Sequence, residues 1–200
     1  MRKTQDVRLQ EKRGVIDARE MKRILRRMAG ELLERHPDLA DLRLVGIHTR
    51  GLPLAERLAQ EIERMEGEKL PIGALDITFY RDDLSAIGPR PVVKSSHLPF
   101  DIEGKVVVLC DDVLYTGRTV RAALDELADY GRPRAVRLAV LVDRGHRELP
   151  IQADLVGKDL PTARSEHVEV GFLSTDGADY VRLLERPGIP TPIPPEENKA

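Results

Sequence analysis

Residues 105–124 read KVVVLCDDVLYTGRTVRAAL. Val106 to Cys110 are apolar and suit a buried strand, and they run into two adjacent acids, Asp111 and Asp112. An apolar run bounded by turn signals fits the centre of a parallel sheet. A turn rich in hydroxyls follows, Tyr115-Thr116-Gly117-Arg118-Thr119, and then a helical pattern from Val120 to Leu127. Free backbone N–H groups and the dipole at a helix start favour an anion. Carboxylates at a strand end beside such a cradle suit a ligand with both phosphate and hydroxyls, that is, a phosphorylated sugar.

Outward from this stretch, strands and helices alternate. Asp17 followed by Glu20 marks a helix start, with Asp17 as cap. Met21, Ile24, Leu25, Met28 and Leu32 share one face of the helix that runs to about Arg35, before Pro37. Leu42 to Ile47 reads as a buried strand, Leu52 to Met65 as a helix, and Leu70 to Phe79 as a second strand with Asp76 inside it. Arg134 to Val142 is another buried strand; Leu155 to Gly157 and His167 to Phe172 are shorter ones. This order predicts an α/β fold with an open, mostly parallel sheet covered on both faces. Ligands of such sheets bind at the carboxyl ends of the strands. Three loops fall there: residues 48–51, 111–119 and 143–147.

The 200 residues suit one domain, with 41% hydrophobic and 33% charged residues, a globular balance. The expected division is an N-terminal arm or extra strand over residues 1–14, the domain over 15–185, and a disordered Pro-rich tail over 186–200. A net charge of -2 gives no whole-molecule argument for nucleic acid, although a local basic face still matters. The single cysteine, Cys110, excludes an internal disulfide and a cysteine zinc cluster, and its neighbours suit burial rather than reactivity. No apolar run approaches the roughly 20 residues of a membrane span. The basic N-terminus has no apolar stretch behind it, so a cytoplasmic location is expected.

Each motif has a plain alternative. Asp111 and Asp112 could hold sugar hydroxyls, ligate a metal or act as a base, or merely cap the next helix. Thr49-Arg50-Gly51 could clamp a second phosphate, because Arg offers paired donors and Gly permits close backbone approach. His146 between Gly145 and Arg147 is either a surface residue or, with Arg144, an anion contact. Arg19, Lys22, Arg23, Arg26 and Arg27 gather on one helix face with like charges four residues apart, each such pair costing about 0.2–0.5 kcal/mol. That face is either a phosphate-backbone contact or a solvated surface.

The pattern VVLCDDVLYTGRT, residues 107–119, resembles the phosphoribosyl pyrophosphate (PRPP) signature of the type I phosphoribosyltransferases. The resemblance continues through Gly46 to Gly51, Asp76 to Leu84, Leu141 to Pro150 and Val156 to Lys158. In this order, from about Asp17 to Glu185, these segments are similar to the bifunctional bacterial pyrimidine-operon regulators. Those proteins bind operon leader RNA in response to UMP and convert uracil and PRPP to UMP and diphosphate.

The resemblance implies a type I phosphoribosyltransferase fold with a small hood and a mobile lid over Ile77 to Pro99. It implies that Asp111 and Asp112 hold the ribose hydroxyls, that Tyr115, Thr116, Gly117, Arg118 and Thr119 cradle the 5-phosphate, and that Val113 and Leu114 belong to the same PRPP/UMP-binding stretch. Thr49, Arg50 and Gly51 would form the diphosphate loop, often with a non-proline cis peptide; Asp111, Asp112 and Arg50 carry the catalytic role. Arg144, Val156 and Lys158 would lie at the base. Arg23, Arg26, Arg27, His146, Arg147 and Lys158 would face RNA. Mg2+ would arrive with PRPP, held by substrate oxygens and water rather than by the protein, and the chain would form a homodimer or homotetramer. Related purine enzymes carry an acid where Tyr115 stands, so the emphasis moves from a dedicated base to positioning. Two competing readings are a pure base-salvage phosphoribosyltransferase without an RNA role, and a regulator with vestigial catalysis.

Overall fold

The computed structural model describes residues 9–80 and 95–185. A five-stranded parallel sheet has the order β3-β2-β4-β5-β6, and a three-stranded antiparallel sheet the order β1-β8-β7. The strands are β1 (Gln10–Ile16), β2 (Leu42–Ile47), β3 (Ile72–Leu75), β4 (Val106–Leu114), β5 (Ala135–Asp143), β6 (Leu155–Asp159), β7 (His167–Gly171) and β8 (Tyr180–Glu185). The α-helices are α1 (Ala18–Arg35), α2 (Gly51–Glu66), α3 (Arg118–Leu127) and the single turn α4 (Leu173–Asp176).

The central strands sort their side chains by parity. Val106, Val108 and Cys110 join the core under α1 and α2, while Val107 and Leu109 join the core under α3. Burial on both faces is what the unbroken apolar run of β4 requires. The small sheet contributes Val168, Val170, Phe172, Val181 and Leu183 to the core shared with α1 and α2. It therefore sits on the domain as a hood rather than apart from it.

Several boundaries differ from the sequence reading. β4 does not stop at Cys110 but continues through both acids to Leu114, because β5 is equally long and pairs Asp111 with Val140, Val113 with Val142 and Leu114 with Asp143. β3 is shorter than expected: one Asp76 carboxylate oxygen accepts from the Thr78 N–H at 3.0 Å and from its hydroxyl, turning the chain into a short 3-10 helix. The chain returning at His97 pairs with Ala74 and covers the β3 edge. Of the two readings for the N-terminal stretch, residues 10–14 take the strand, running antiparallel to β8. The Pro-rich tail and residues 81–94 of the expected lid lie outside the described residues.

The α1 cap is half the expected box. Asp17 accepts from the Glu20 N–H at 2.7 Å, but the Glu20 carboxylate pairs with Lys158 at 2.7 Å instead of reaching back. Asp17→Ala is expected to cost about 1 kcal/mol of stability, read as a lower urea midpoint at unchanged slope.

Candidate active site

The first turn of α2 lies directly against β4 where Cys110 meets Asp111. A methyl group on Gly51 would stand 2.1 Å from the Cys110 carbonyl oxygen, so only glycine admits this approach. The same approach brings Thr49, Arg50 and Gly51 beside the acid pair. The peptide bond His48–Thr49 is cis, in the loop where the resemblance implies one.

Asp111 is buried, and its carboxylate accepts from the Asp112 N–H at 3.0 Å. Desolvation raises the pKa of Asp112 above the ordinary carboxylate value, with Asp111 and Arg50 acting in the opposite direction. A carboxylate so placed gains from ligand hydroxyls that replace lost water.

The turn after β4 opens α3 on a left-handed glycine. Gly117 has φ +93°, a left-handed backbone, and caps α3 without a side-chain bond. The first N–H groups of a helix have no intrahelical acceptor, and here those of Thr119 and Val120 lie at the cradle. The turn is braced from behind. The Thr116 carbonyl accepts from the N–H groups of Glu148 and Leu149 at 3.0 and 3.2 Å, and Arg147 Nη1 donates to the Tyr115 carbonyl at 2.8 Å. Val113 and Leu114 support the site as strand residues, and Arg118 pairs outward with Glu148 at 3.0 Å.

Beside the turn lies a cavity of about 390 Å³ lined by Tyr115, Arg144, Ser165, Glu166 and His167, among others. The Arg144 guanidinium stands 4.2 Å from the Tyr115 ring centre, and the His146 ring meets Tyr115 edge-on at 5.9 Å. Arg144 is only 5% exposed and donates to Thr162 Oγ1 and to the carbonyls of Ala163 and Glu166 at 2.8–3.1 Å. Partial desolvation, and then the Arg144 charge, lower the pKa of His167.

The other expected contacts are placed as follows. Val156 and Lys158 lie on β6 outside this cavity. The Val156 and Gly157 carbonyls accept from Arg27 at 2.9 and 2.6 Å, and Lys158 pairs with Glu20. Arg147 commits all its nitrogens internally, to Ile151, Tyr115, Gly145 and Asp143. His146 Nε2 bonds the Thr162 carbonyl at 2.6 Å. Arg19, Lys22, Arg23 and Arg26 are exposed and make no ion pair or hydrogen bond with the described residues. Sequence reasoning missed Ser165 to His167, where no motif marks a site. It also missed Asp176, whose Asp-Gly signal marks a turn but not its partner Arg50, 126 residues away.

The family model of the phosphoribosyl transferase domain matches residues 15–175, and the chain belongs to that family. Within it, the Bifunctional protein PyrR of Thermus thermophilus is 59% identical over 177 residues, covering 88% of this chain and 98% of that protein. The Bifunctional protein PyrR of Deinococcus radiodurans is 54% identical over 174 residues, covering 87% and 95%. The chain is a member of the bifunctional PyrR family. Hypoxanthine phosphoribosyltransferase structures share its fold: that of Trypanosoma cruzi has a TM-score of 0.67 at 16% identity over 88% of this chain and 98% of that one. That of Staphylococcus aureus has 0.65 at 20% identity over 86% and 92%.

Gly51→Ala is expected to push the loop off the Cys110 carbonyl and to lower PRPP turnover about a hundredfold, the effect of an ångström-scale misplacement. Turnover kept at the wild-type level in a folded variant would show that the close approach is dispensable.

Proposed function

We propose that this chain converts uracil and PRPP to UMP and diphosphate, and that it binds pyrimidine-operon leader RNA in response to UMP. The observation that carries the enzymatic part is the convergence at one sheet edge of three things. These are the loop with Thr49 and Arg50, the acid pair, and an anion cradle at the start of α3.

The division of labour follows from the chemistry of each group. Asp111 and Asp112 accept hydrogen bonds from the ribose hydroxyls. Backbone N–H groups and hydroxyls from Tyr115 to Thr119 receive the 5-phosphate. Thr49 and Arg50 hold the diphosphate, with Gly51 as the point of close approach. The cavity beside Tyr115 takes the base. There Arg144 Nη1, the guanidinium nitrogen without a hydrogen bond among the described residues, offers a donor to a uracil carbonyl. A uracil ring nitrogen then attacks the anomeric carbon as diphosphate leaves through a cation-like transition state. Uracil is acidic enough that no dedicated base is assigned; the protein positions reactants and stabilises charge.

Among the described residues no group of three or more His, Cys, Asp or Glu side chains could hold a metal ion. Two adjacent carboxylates beside an anion cradle fit a Mg2+ that enters on PRPP and keeps substrate oxygens and water as ligands. When bound, it neutralises charge on the departing diphosphate. No helix among the described residues is long and apolar enough to cross a membrane, and the cytoplasm, where PRPP chemistry and nascent RNA meet, is the proposed location.

For RNA, support comes from the exposed cations of α1. Arg23 and Arg26, with Arg19 and Lys22, keep their charges unpaired among the described residues, whereas Arg27 ties α1 to β6. Like charges left together are stabilised by a phosphate backbone.

Two measurements test this reading. Asp112→Asn is expected to lower UMP formation from uracil and PRPP about a hundredfold, and chelation of Mg2+ to abolish wild-type turnover; turnover surviving either treatment sinks the corresponding role. In a filter-binding titration with leader RNA, UMP is expected to tighten binding. Arg23→Glu with Arg26→Glu should weaken it and reduce the dependence of log affinity on log salt by at least about one. Absence of RNA affinity in the wild type would leave a base-salvage enzyme only.

A further inference from the structure

Arg50 is held from the hood. Its Nη2 donates to Asp176 Oδ1 at 2.8 Å and its Nε to Oδ2 at 3.3 Å, a side-on pair. The same Asp176 oxygen Oδ2 accepts from the Phe172 N–H at 3.0 Å, so the carboxylate is itself fixed by backbone. The Asp176 side chain is 16% exposed and that of Arg50 36%, so the pair is partly shielded from bulk solvent. Nη1 has no hydrogen bond among the described residues, and the Asp112 charge also acts on the guanidinium.

Seven residues on, and so on the same face of α2, a second arginine does the same to the same turn. Arg57 Nη1 donates to both oxygens of Asp179 at 3.0 Å, and Asp179 accepts from the Leu173 N–H at 2.9 Å. The turn between β7 and β8 is thus bolted to α2 at two points. Only one of the two bolts involves a residue of the 48–51 loop, which lets fastening be separated from positioning.

We infer that Asp176 is a positioning residue for Arg50: it fixes the guanidinium side-on so that Nη1 stays aimed at the diphosphate of PRPP. An arginine free to rotate must be ordered on binding, whereas one already clamped by a carboxylate is not; preorganisation of this kind favours the bound state. The bidentate geometry needs both oxygens and a negative charge, so asparagine cannot replace it. This inference rests on the assignment of Arg50 to diphosphate made above.

The test is steady-state kinetics of UMP formation together with calorimetric titration of magnesium diphosphate, on wild type, Asp176→Asn, Asp176→Glu and Asp179→Asn. Asp176→Asn is expected to raise the KM for PRPP and the Kd for diphosphate about tenfold, with kcat within about twofold and the KM for uracil unchanged. Asp176→Glu should recover most of that loss. Asp179→Asn should lower the melting temperature without moving either constant. Unchanged constants in Asp176→Asn, tighter diphosphate binding, or an equal effect from Asp179→Asn would each overturn the inference. A wild type that binds diphosphate yet makes no UMP retires the uracil assignment alone, and the titration still decides the role of Asp176. A wild type that binds no diphosphate overturns the role of Arg50 and this inference with it.

Discussion

The site depends on the parallel pairing of β4 with β5 continuing past Cys110. Nine residues of each strand run side by side, with Asp111 and Asp112 in the second half of β4, before Val113 and Leu114, and Asp143 at the end of β5. Apolar burial pins Val106 to Cys110 on both faces, and the ladder continues through the acids to the buried Leu114, so their backbone groups stay paired. The start of α2 can settle against β4 at Cys110 only because Gly51 has no side chain. The 48–51 loop, the acids and the start of α3 are therefore held by the sheet itself.

The hood completes what the sheet begins. Its turn reaches Arg50 and Arg57 through two carboxylates, and its β7 side supplies His167 to the cavity beside Tyr115. That cavity is bounded by segments far apart in sequence, among them Tyr115, Arg144 and Ser165 to His167. Its dimensions are set by how the small sheet docks, and that docking is apolar, through Val168, Val170, Val181 and Leu183.

Much of this was legible in the residues. The apolar run of β4, the acid pair and the hydroxyl-rich turn pointed to a sugar-phosphate site at a parallel sheet edge, because each feature is local and has a local cause. The α1 stripe from Met21 to Leu32 emerged as the buried face. Less legible was anything decided by partners remote in the chain. The length of β4 was set by β5, and the strand over residues 10–16 by β8. The shortness of β3 was set by the Asp76–Thr78 turn. The cations show the same limit most clearly. Arg23, Arg26, Arg27, Arg147 and Lys158 look alike in sequence, but carbonyl and carboxylate acceptors on β6, on the loop after β5 and on α1 distinguish those that hold the fold from those left facing outward.

Arg147 illustrates where that distinction leads. Its guanidinium joins the loop after β5 to the back of the turn after β4, through the Tyr115 carbonyl on one side and Asp143 and Ile151 on the other. The two loops are in effect one rigid piece with two outer surfaces. Any change at Arg147 therefore reaches both loops at once. Arg23 and Arg26, by contrast, pair with nothing among the described residues and can change without disturbing that brace.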